Sequence, residues 1–478
     1  MVSKLYKAVF AADVAEVKAR LAAGDYPNER GRDRETPLMA AAREGYVQIM
    51  EVLLEKGADT SLQDEFGKTA LIHAFLGNQE AAVRLLLANG AAFNLDAVLH
   101  IACDWVRHKR PSELVNVPDF RETLCRIAEA NGIQIGRPWT SRTLEYRRFP
   151  DGDREVVLTI NLHLPEPMPG KAPPLFVFIH GGAWITGSAG DEPVWLVTQL
   201  GFAAASIEYR FAQQAAFPEP IKDCKAAIRF LRNHAWEYGY DPERIGVMGN
   251  SAGGHLALLL GLTPDDPVLD RDAGDSNVSS KVAAVCSMNG PADLMAYIRI
   301  LELLDQAARE QDGKKRRLIV KELLRKPFVK FAMDQMDFIK GPLKILGKVA
   351  RALLESGNQL VFEALRKSVM KIISDTYFCG QSPLGQEELL EAIDPLSQAK
   401  RIPEMPPEQR EKIASFFLAY GKEDLVVPSN GGTDLGIALD EAGIPNEYHE
   451  LPNAGHDTSG LHPMVFKFLV ERLTKENP

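Results

Sequence analysis

Three glycines, Gly24, Gly57 and Gly90, stand 33 residues apart, and each closes a short apolar run: Ala-Arg-Leu-Ala-Ala-Gly, Val-Leu-Leu-Glu-Lys-Gly and Leu-Leu-Leu-Ala-Asn-Gly. Leu5, Leu38 and Leu71 keep the same step. A fixed period of this size means stacked units. Each unit supplies two short helices whose apolar faces are covered only by the next unit, and about three units are the minimum that buries a core. The glycine that ends each second helix is expected in the left-handed region, which residues with a Cβ avoid.

Thr36-Pro37-Leu38-Met39-Ala40-Ala41-Ala42 and Thr69-Ala70-Leu71 open two of the units, and with the glycine period they make residues 1–95 resemble ankyrin repeats. A degenerate fourth copy is expected to end at Cys125-Arg126-Ile127-Ala128-Glu129-Ala130-Asn131-Gly132, with about nine extra residues inserted near 107–111. The N-terminal unit is therefore set at 1–132, with a linker over 133–142. The resemblance implies a concave face that binds another protein; a purely structural cap is the plainer alternative.

A chain of 478 residues is longer than one hydrophobic core usually serves, so further units must follow. The 65 acidic and 55 basic residues leave a net charge of −10, the wrong sign for a general nucleic-acid binder. The five cysteines are scattered, with no Cys-x-x-Cys pair, which argues against a disulfide framework or a zinc site and for a reducing compartment. The N-terminus has no apolar leader-like stretch, and no run of about 18 uncharged apolar residues occurs, so a cytoplasmic location is expected.

Beyond Gly132 the pattern turns to strands. Residues 156–164 alternate as a half-buried strand, and Leu175–Ile179 is a continuous apolar run suited to a buried parallel one. Residues 203–209 and 245–248 continue the series, with a helical stretch over 221–236 between them. Strands alternating with helices predict an α/β sheet.

The chemistry gathers where these strands end. Gly249-Asn250-Ser251-Ala252-Gly253-Gly254 lies between the strand at 245–248 and an apolar helix over 255–262, the setting that a tight nucleophile turn needs. Side chains at Gly249 and Gly253 would collide with the neighbouring strand and helix. After the strand ending at Ile179 comes His180-Gly181-Gly182-Ala183-Trp184, whose glycines let backbone N–H groups approach a substrate oxygen. Gly181, Gly182 and Ala183 are the candidate oxyanion loop, with Gly182 and Ala183 as donors and Ala252 as the third. An acid and a base should follow in that order. Gly421-Lys422-Glu423-Asp424-Leu425-Val426-Val427-Pro428 follows an expected strand over 413–420 and offers Asp424, with Glu423 as runner-up. A helix over 432–442 and a strand over Asn446–Leu451 lead to Asn453-Ala454-Gly455-His456-Asp457, which makes His456 the base. His255, one turn beyond Ser251, is expected to pack; His449 and His462 lack a loop after a strand end.

Ser251, Asp424, His456 and the His180–Trp184 loop make residues 143–478 resemble an α/β-hydrolase-fold serine carboxylesterase, of the acetyl- and feruloyl-esterase-like and hormone-sensitive-lipase-like kinds. Ala183 departs from the all-glycine loop of the latter. The resemblance implies acyl transfer through Ser251 on a small-molecule ester, with no metal or cofactor. A peptidase or amidase, a lipase, or an inactive interaction scaffold remain the alternatives.

An insertion of about 75 residues separates Gly290-Pro291-Ala292-Asp293-Leu294 from Tyr377-Phe378-Cys379-Gly380 and is bounded at 295–375. Residues 309–371 hold 16 Lys or Arg against 7 Asp or Glu, so this stretch carries +9 and the remainder −19. Apolar residues at 318–320, 323–324, 328–333 and 343–354 recur at helical spacing, which predicts a helical cap above the strand ends. A basic amphipathic surface for an anionic membrane, and a solvated charged face with no function beyond solubility, are the alternatives.

Overall fold

A computed structural model describes residues 4–91, 139–323 and 387–474, except 66, 78, 153, 167–171, 191–193, 195, 196, 199, 200, 425, 457, 459 and 460. The expected fourth repeat, its insert near 107–111 and most of the basic insertion lie outside the described residues. The chain divides into two compact units, Met1–Gly136 with Ser459–Lys467 and Arg137–Thr458 with Phe468–Pro478.

The first unit is built of helix pairs: α1 (Lys4–Phe10) with α2 (Val14–Ala22), α3 (Pro37–Glu44) with α4 (Val47–Glu55), and α5 (Ala70–Leu76) with α6 (Glu80–Ala88). Leu5, Leu38 and Leu71 are fully buried. Gly24, Gly57 and Gly90 have φ of 95°, 84° and 79°. The amides that follow them, of Asp25, Ala58 and Ala91, donate back to Arg20, Leu53 and Leu86, so the same helix ending recurs at each step of 33. Thr36 caps α3, its hydroxyl accepting from the Met39 N–H while Pro37 occupies the first helical turn, where its missing N–H costs nothing. Asn28 stitches one unit to the next, accepting from the Asp59 N–H and donating to the Gly57 carbonyl.

The second unit is an α/β domain around an eight-stranded sheet in the order β1-β2-β4-β3-β5-β6-β7-β8. Strands β1 (Trp139–Asp151) and β2 (Arg154–Pro165) form an antiparallel hairpin, and β2 joins β4 (Ala203–Ile207) antiparallel. From β4 onward through β3 (Leu175–Ile179), β5 (Ile245–Asn250), β6 (Ala284–Met288), β7 (Ser415–Gly421) and β8 (Asn446–Leu451) every pairing is parallel. Strand β1 starts at Trp139, inside the segment expected as a linker, and pairs from its first residue with Pro165. It is an edge strand with no buried residue, so it lacks the apolar alternation by which β2 is recognised, where Leu158, Ile160 and Leu162 face the core.

Helix α7 (Glu219–Asn233) precedes β5 in the chain, and α8 (Ala252–Leu262) leaves it; all eleven residues of α8 are buried. Strand β3 pairs with β4 on one side and β5 on the other, so the chain reverses its direction of travel across the sheet there. Loops leaving neighbouring strands at such a point diverge and open a crevice at the carboxyl ends. Helices α9 (Met295–Arg309) and α10 (Gly313–Leu323) begin the insertion, and α11 (Pro395–Arg401), α12 (Ser429–Glu441) and α13 (His462–Thr474) complete the labelled elements. Along α10, Val320 and Leu323 are buried one turn apart, whereas Leu318, counted in the apolar stripe, is 68% exposed because it sits on the far side of the helix from Val320.

Both feet of the insertion are tied down. The Leu294 N–H donates to Asp394 Oδ1, the Leu396 N–H donates to the Ala292 carbonyl, and Asp394 Oδ2 caps α11 through the Ser397 N–H.

Candidate active site

Register across the sheet determines what can meet at its carboxyl edge. Ile179 lies opposite Gly249, Asn250 opposite Met288, and Met288 opposite Ala419, so the residues that follow β3, β5, β6 and β7 emerge side by side.

Ser251 sits between β5 and α8 with φ 54° and ψ −120°, a conformation costing about 1–3 kcal/mol that persists only where its surroundings enforce it. The enforcement is visible. A Cβ on Gly249 would fall 2.1 Å from the Gly253 carbonyl oxygen, and a Cβ on Gly253 would fall 2.1 Å from that of Ile179. The turn is closed by the Ser251 N–H donating to the Met288 carbonyl at 2.7 Å.

Asp424 is expelled from water at the end of β7, its side chain wholly buried. Its Oδ1 accepts from the Val426 and Val427 N–H groups at 2.8 and 2.9 Å, which leaves Oδ2 for one partner. That partner is His456, whose Nδ1 lies 2.7 Å away. An ionised carboxylate only accepts, so Nδ1 carries the proton and Nε2 presents a lone pair. Nε2 is 2.9 Å from Ser251 Oγ. The chain Asp424–His456–Ser251 is thus continuous, and the imidazole is 32% exposed. Glu423 is not in this chain.

The His180–Trp184 loop lies against the turn. A Cβ on Gly181 would be 2.9 Å from the Asn250 carbonyl oxygen and 3.4 Å from Ser251 Cβ. Gly182, Ala183 and Trp184 have φ of 105°, 52° and 59°, three consecutive left-handed residues, and a Cβ at Gly182 would sit 2.0 Å from the Thr186 carbonyl oxygen. Ala252 opens α8, so its N–H belongs to the first turn, where amides have no partner within the helix and where anionic charge is favoured. Gly181 therefore lies beside Ser251 and Ala252 follows it on α8, while Gly182 and Ala183 continue the same loop. A cavity of about 310 Å³ adjoins them, lined by Phe178, His180, Gly181, Gly182, Thr186, Gly187 and Asn250.

His255 packs, as its position on α8 implies. Its ring is fully buried edge-on to Trp184 and Phe217, and Nε2 is 2.8 Å from the Ile393 carbonyl at the foot of the insertion. Burial pushes its imidazole down from the ordinary 6.5 to about 4, against the pull of that hydrogen bond. His449 stacks on Phe417, away from the site, and His462 is the first residue of α13. Two residues that sequence reasoning passed over also converge here: Asn289 and Thr458 are buried beside the His456 loop, and the Asn289 Nδ2 donates to both the His456 carbonyl and Thr458 Oγ1 at 2.9 Å.

Residues 160–340 match the BD-FAE family model, and residues 5–108 match the model for ankyrin repeats (3 copies). Three curated relatives come from Mycobacterium tuberculosis. The chain is similar to esterase LipC, with 35% identity over 32% of this chain and 38% of LipC. With esterase LipQ identity is 25% over 64% of this chain and 55% of LipQ, and with the probable carboxylic ester hydrolase LipM it is 42% over 33% of each. The chain thus spans between a third and just over half of the length of these relatives. The second unit is an α/β-hydrolase fold related to esterases and lipases, and the first unit is made of ankyrin repeats.

Proposed function

We propose that the protein hydrolyses small-molecule carboxylic esters through an acyl-enzyme on Ser251. The observation that carries this reading is the unbroken Asp424–His456–Ser251 hydrogen-bond chain at the mouth of a strained turn. His456 Nε2 takes the hydroxyl proton as Ser251 Oγ bonds to the ester carbonyl carbon, and Asp424 stabilises the imidazolium that results. The carbonyl oxygen becomes an oxyanion held by the N–H groups of Gly182, Ala183 and Ala252, with Gly181 shaping the loop; each such donor contributes on the order of 3 kcal/mol in the transition state. His456 then protonates the departing alkoxide. Water, deprotonated by the same nitrogen, attacks the acyl carbon, and collapse of the second oxyanion returns the Ser251 hydroxyl and frees the carboxylic acid. No step draws on a metal or cofactor.

The ankyrin unit supplies a surface for a protein partner, since none of the residues assigned to the chemistry belongs to it. Cys224 and Cys286, both buried and neither in a disulfide, suit a reducing compartment such as the cytoplasm. Among the described residues no helix is long and apolar enough to cross a membrane.

Purified protein is expected to hydrolyse p-nitrophenyl acetate, and Ser251→Ala to reduce kcat by about 10⁴-fold or more. Turnover that survives the substitution would refute the assignment.

A further inference from the structure

We infer that Asn289 is a positioning residue for the reaction proposed above: its amide clamps the His456 loop onto the end of β7, and so sets the distance between His456 and Asp424. The inference rests on that reading of the site.

Asn289 touches neither the ester nor the reacting atoms. It follows β6 directly, is fully buried and has φ 50°, a left-handed conformation that asparagine adopts more readily than other residues with a Cβ. Its backbone is pinned, the N–H donating to the Ala419 carbonyl of β7 at 2.7 Å. The side chain uses both ends of the amide. Nδ2 donates to the His456 carbonyl and to Thr458 Oγ1, each at 2.9 Å, while Oδ1 accepts from the Gly421 N–H at 3.0 Å. Gly421 in turn accepts from the Asp424 N–H through its carbonyl at 3.2 Å. One planar group therefore ties the backbone of the base to the turn that carries the acid, from a strand that carries neither.

The same contact zone leaves no slack. A Cβ on Gly421 would lie 1.9 Å from the Gly455 carbonyl oxygen and 2.5 Å from that of Ala454, so the His456 loop rests directly on the end of β7. The Glu423 N–H donates to the Ala454 carbonyl at 2.9 Å on the other side. Without the Asn289 amide, the part-buried His456 carbonyl and the buried Gly421 N–H lose their partner, and the loop is free to relieve this by moving. A shift of about 1 Å in a reacting group costs on the order of 10²-fold in rate.

The experiment is a double-mutant cycle on the full chain with p-nitrophenyl acetate, comparing wild type, Asn289→Ala, His456→Ala and the double variant, with Ser251→Ala as the control and circular dichroism to establish folding. Asn289→Ala is expected to lower kcat by about 30–100-fold with KM within two-fold, and to cause no further loss once His456 is absent, because it acts through that residue. An Asn289→Ala protein that is folded and keeps the wild-type kcat, or a loss that persists undiminished without His456, overturns the inference. Should Asn289→Ala not fold, Thr458→Val decides: a several-fold fall in kcat that vanishes in the His456→Ala background supports the clamp, and an unchanged kcat refutes it. The two readings fail separately. Hydrolysis that survives Ser251→Ala removes the acyl-enzyme and this inference with it, whereas hydrolysis that needs Ser251 but ignores Asn289 removes the clamp alone.

Discussion

At the scale of single residues, the site depends as much on atoms that are missing as on those present. Gly253 accepts no side chain because a Cβ there would fall 2.1 Å from the Ile179 carbonyl oxygen and 2.5 Å from that of His180, both rigid backbone at the end of a buried strand. Gly253→Ala must therefore push α8 away from β3, and overpacking against backbone costs about 3 kcal/mol. Chemical denaturation should show that loss, together with a kcat reduced far more than the unfolded fraction explains, since the displaced helix carries both Ser251 and Ala252. Wild-type stability in Gly253→Ala would mean that the turn has slack the geometry denies. The need for small residues at 249 and 253 was legible from the spacing, because a strand-to-helix turn around an exposed serine imposes it locally. Asn289 was not legible. Its partners, Gly421, His456 and Thr458, stand 132, 167 and 169 positions away, and nothing in the residues around 289 hints at where they arrive.

Among the elements, α8 shows how a helix can join Ser251 to the foot of the insertion. Its N-terminus begins at the strained serine, and one turn later His255 reaches the Ile393 carbonyl, a residue 138 positions onward. The imidazole is neutral at that depth, and its pKa of about 4 lies below the 6.5 of an exposed histidine. Between those two values the unfolded chain binds a proton that the folded chain refuses. Stability from this group is complete above pH 6.5 and is lost as the pH falls toward 4, by on the order of 3 kcal/mol at about 1.4 kcal/mol per pH unit. Urea unfolding at pH 7.5 and pH 4.5 should then show a smaller acid loss for His255→Gln than for wild type, although the variant starts less stable; parallel losses would deny His255 this role. Sequence spacing placed β2, β3, β4, β5, β7, β8 and the helices α7, α8 and α12, because their burial alternates or runs in ways that period 2 and period 3.6 reveal, whereas β6 and α11 were passed over. Strand β1 escaped because, at the sheet edge with no fully buried residue and carrying three arginines, it owes its conformation to its partner β2.

For the whole molecule, two kinds of stability meet in one chain. The repeats are local: each helix pair covers its neighbour, and the hydrogen bonds that end α2, α4 and α6 recur at the same step between residues five apart. The hydrolase unit is non-local, with Ser251 and His456 separated by 205 positions and the sheet order crossing back on itself. Every residue assigned to the chemistry lies in that second unit. A defect inside the repeats should therefore be silent in catalysis. Leu38, fully buried on α3, is a suitable place for one, and Leu38→Ala removes core volume at a cost of about 3 kcal/mol. In a solid-like repeat stack of this size that loss spreads to neighbouring units, because each depends on the next for cover. Hydrogen exchange should accordingly rise across α1 to α6 in Leu38→Ala while the β3, β5 and β7 amides keep their protection, and kcat and KM for p-nitrophenyl acetate should stay within two-fold of wild type. A matching fall in kcat, or exchange that rises equally in the sheet, would show that the repeats support the hydrolase fold directly, and their proposed role as a surface for another protein would then lose its main physical ground.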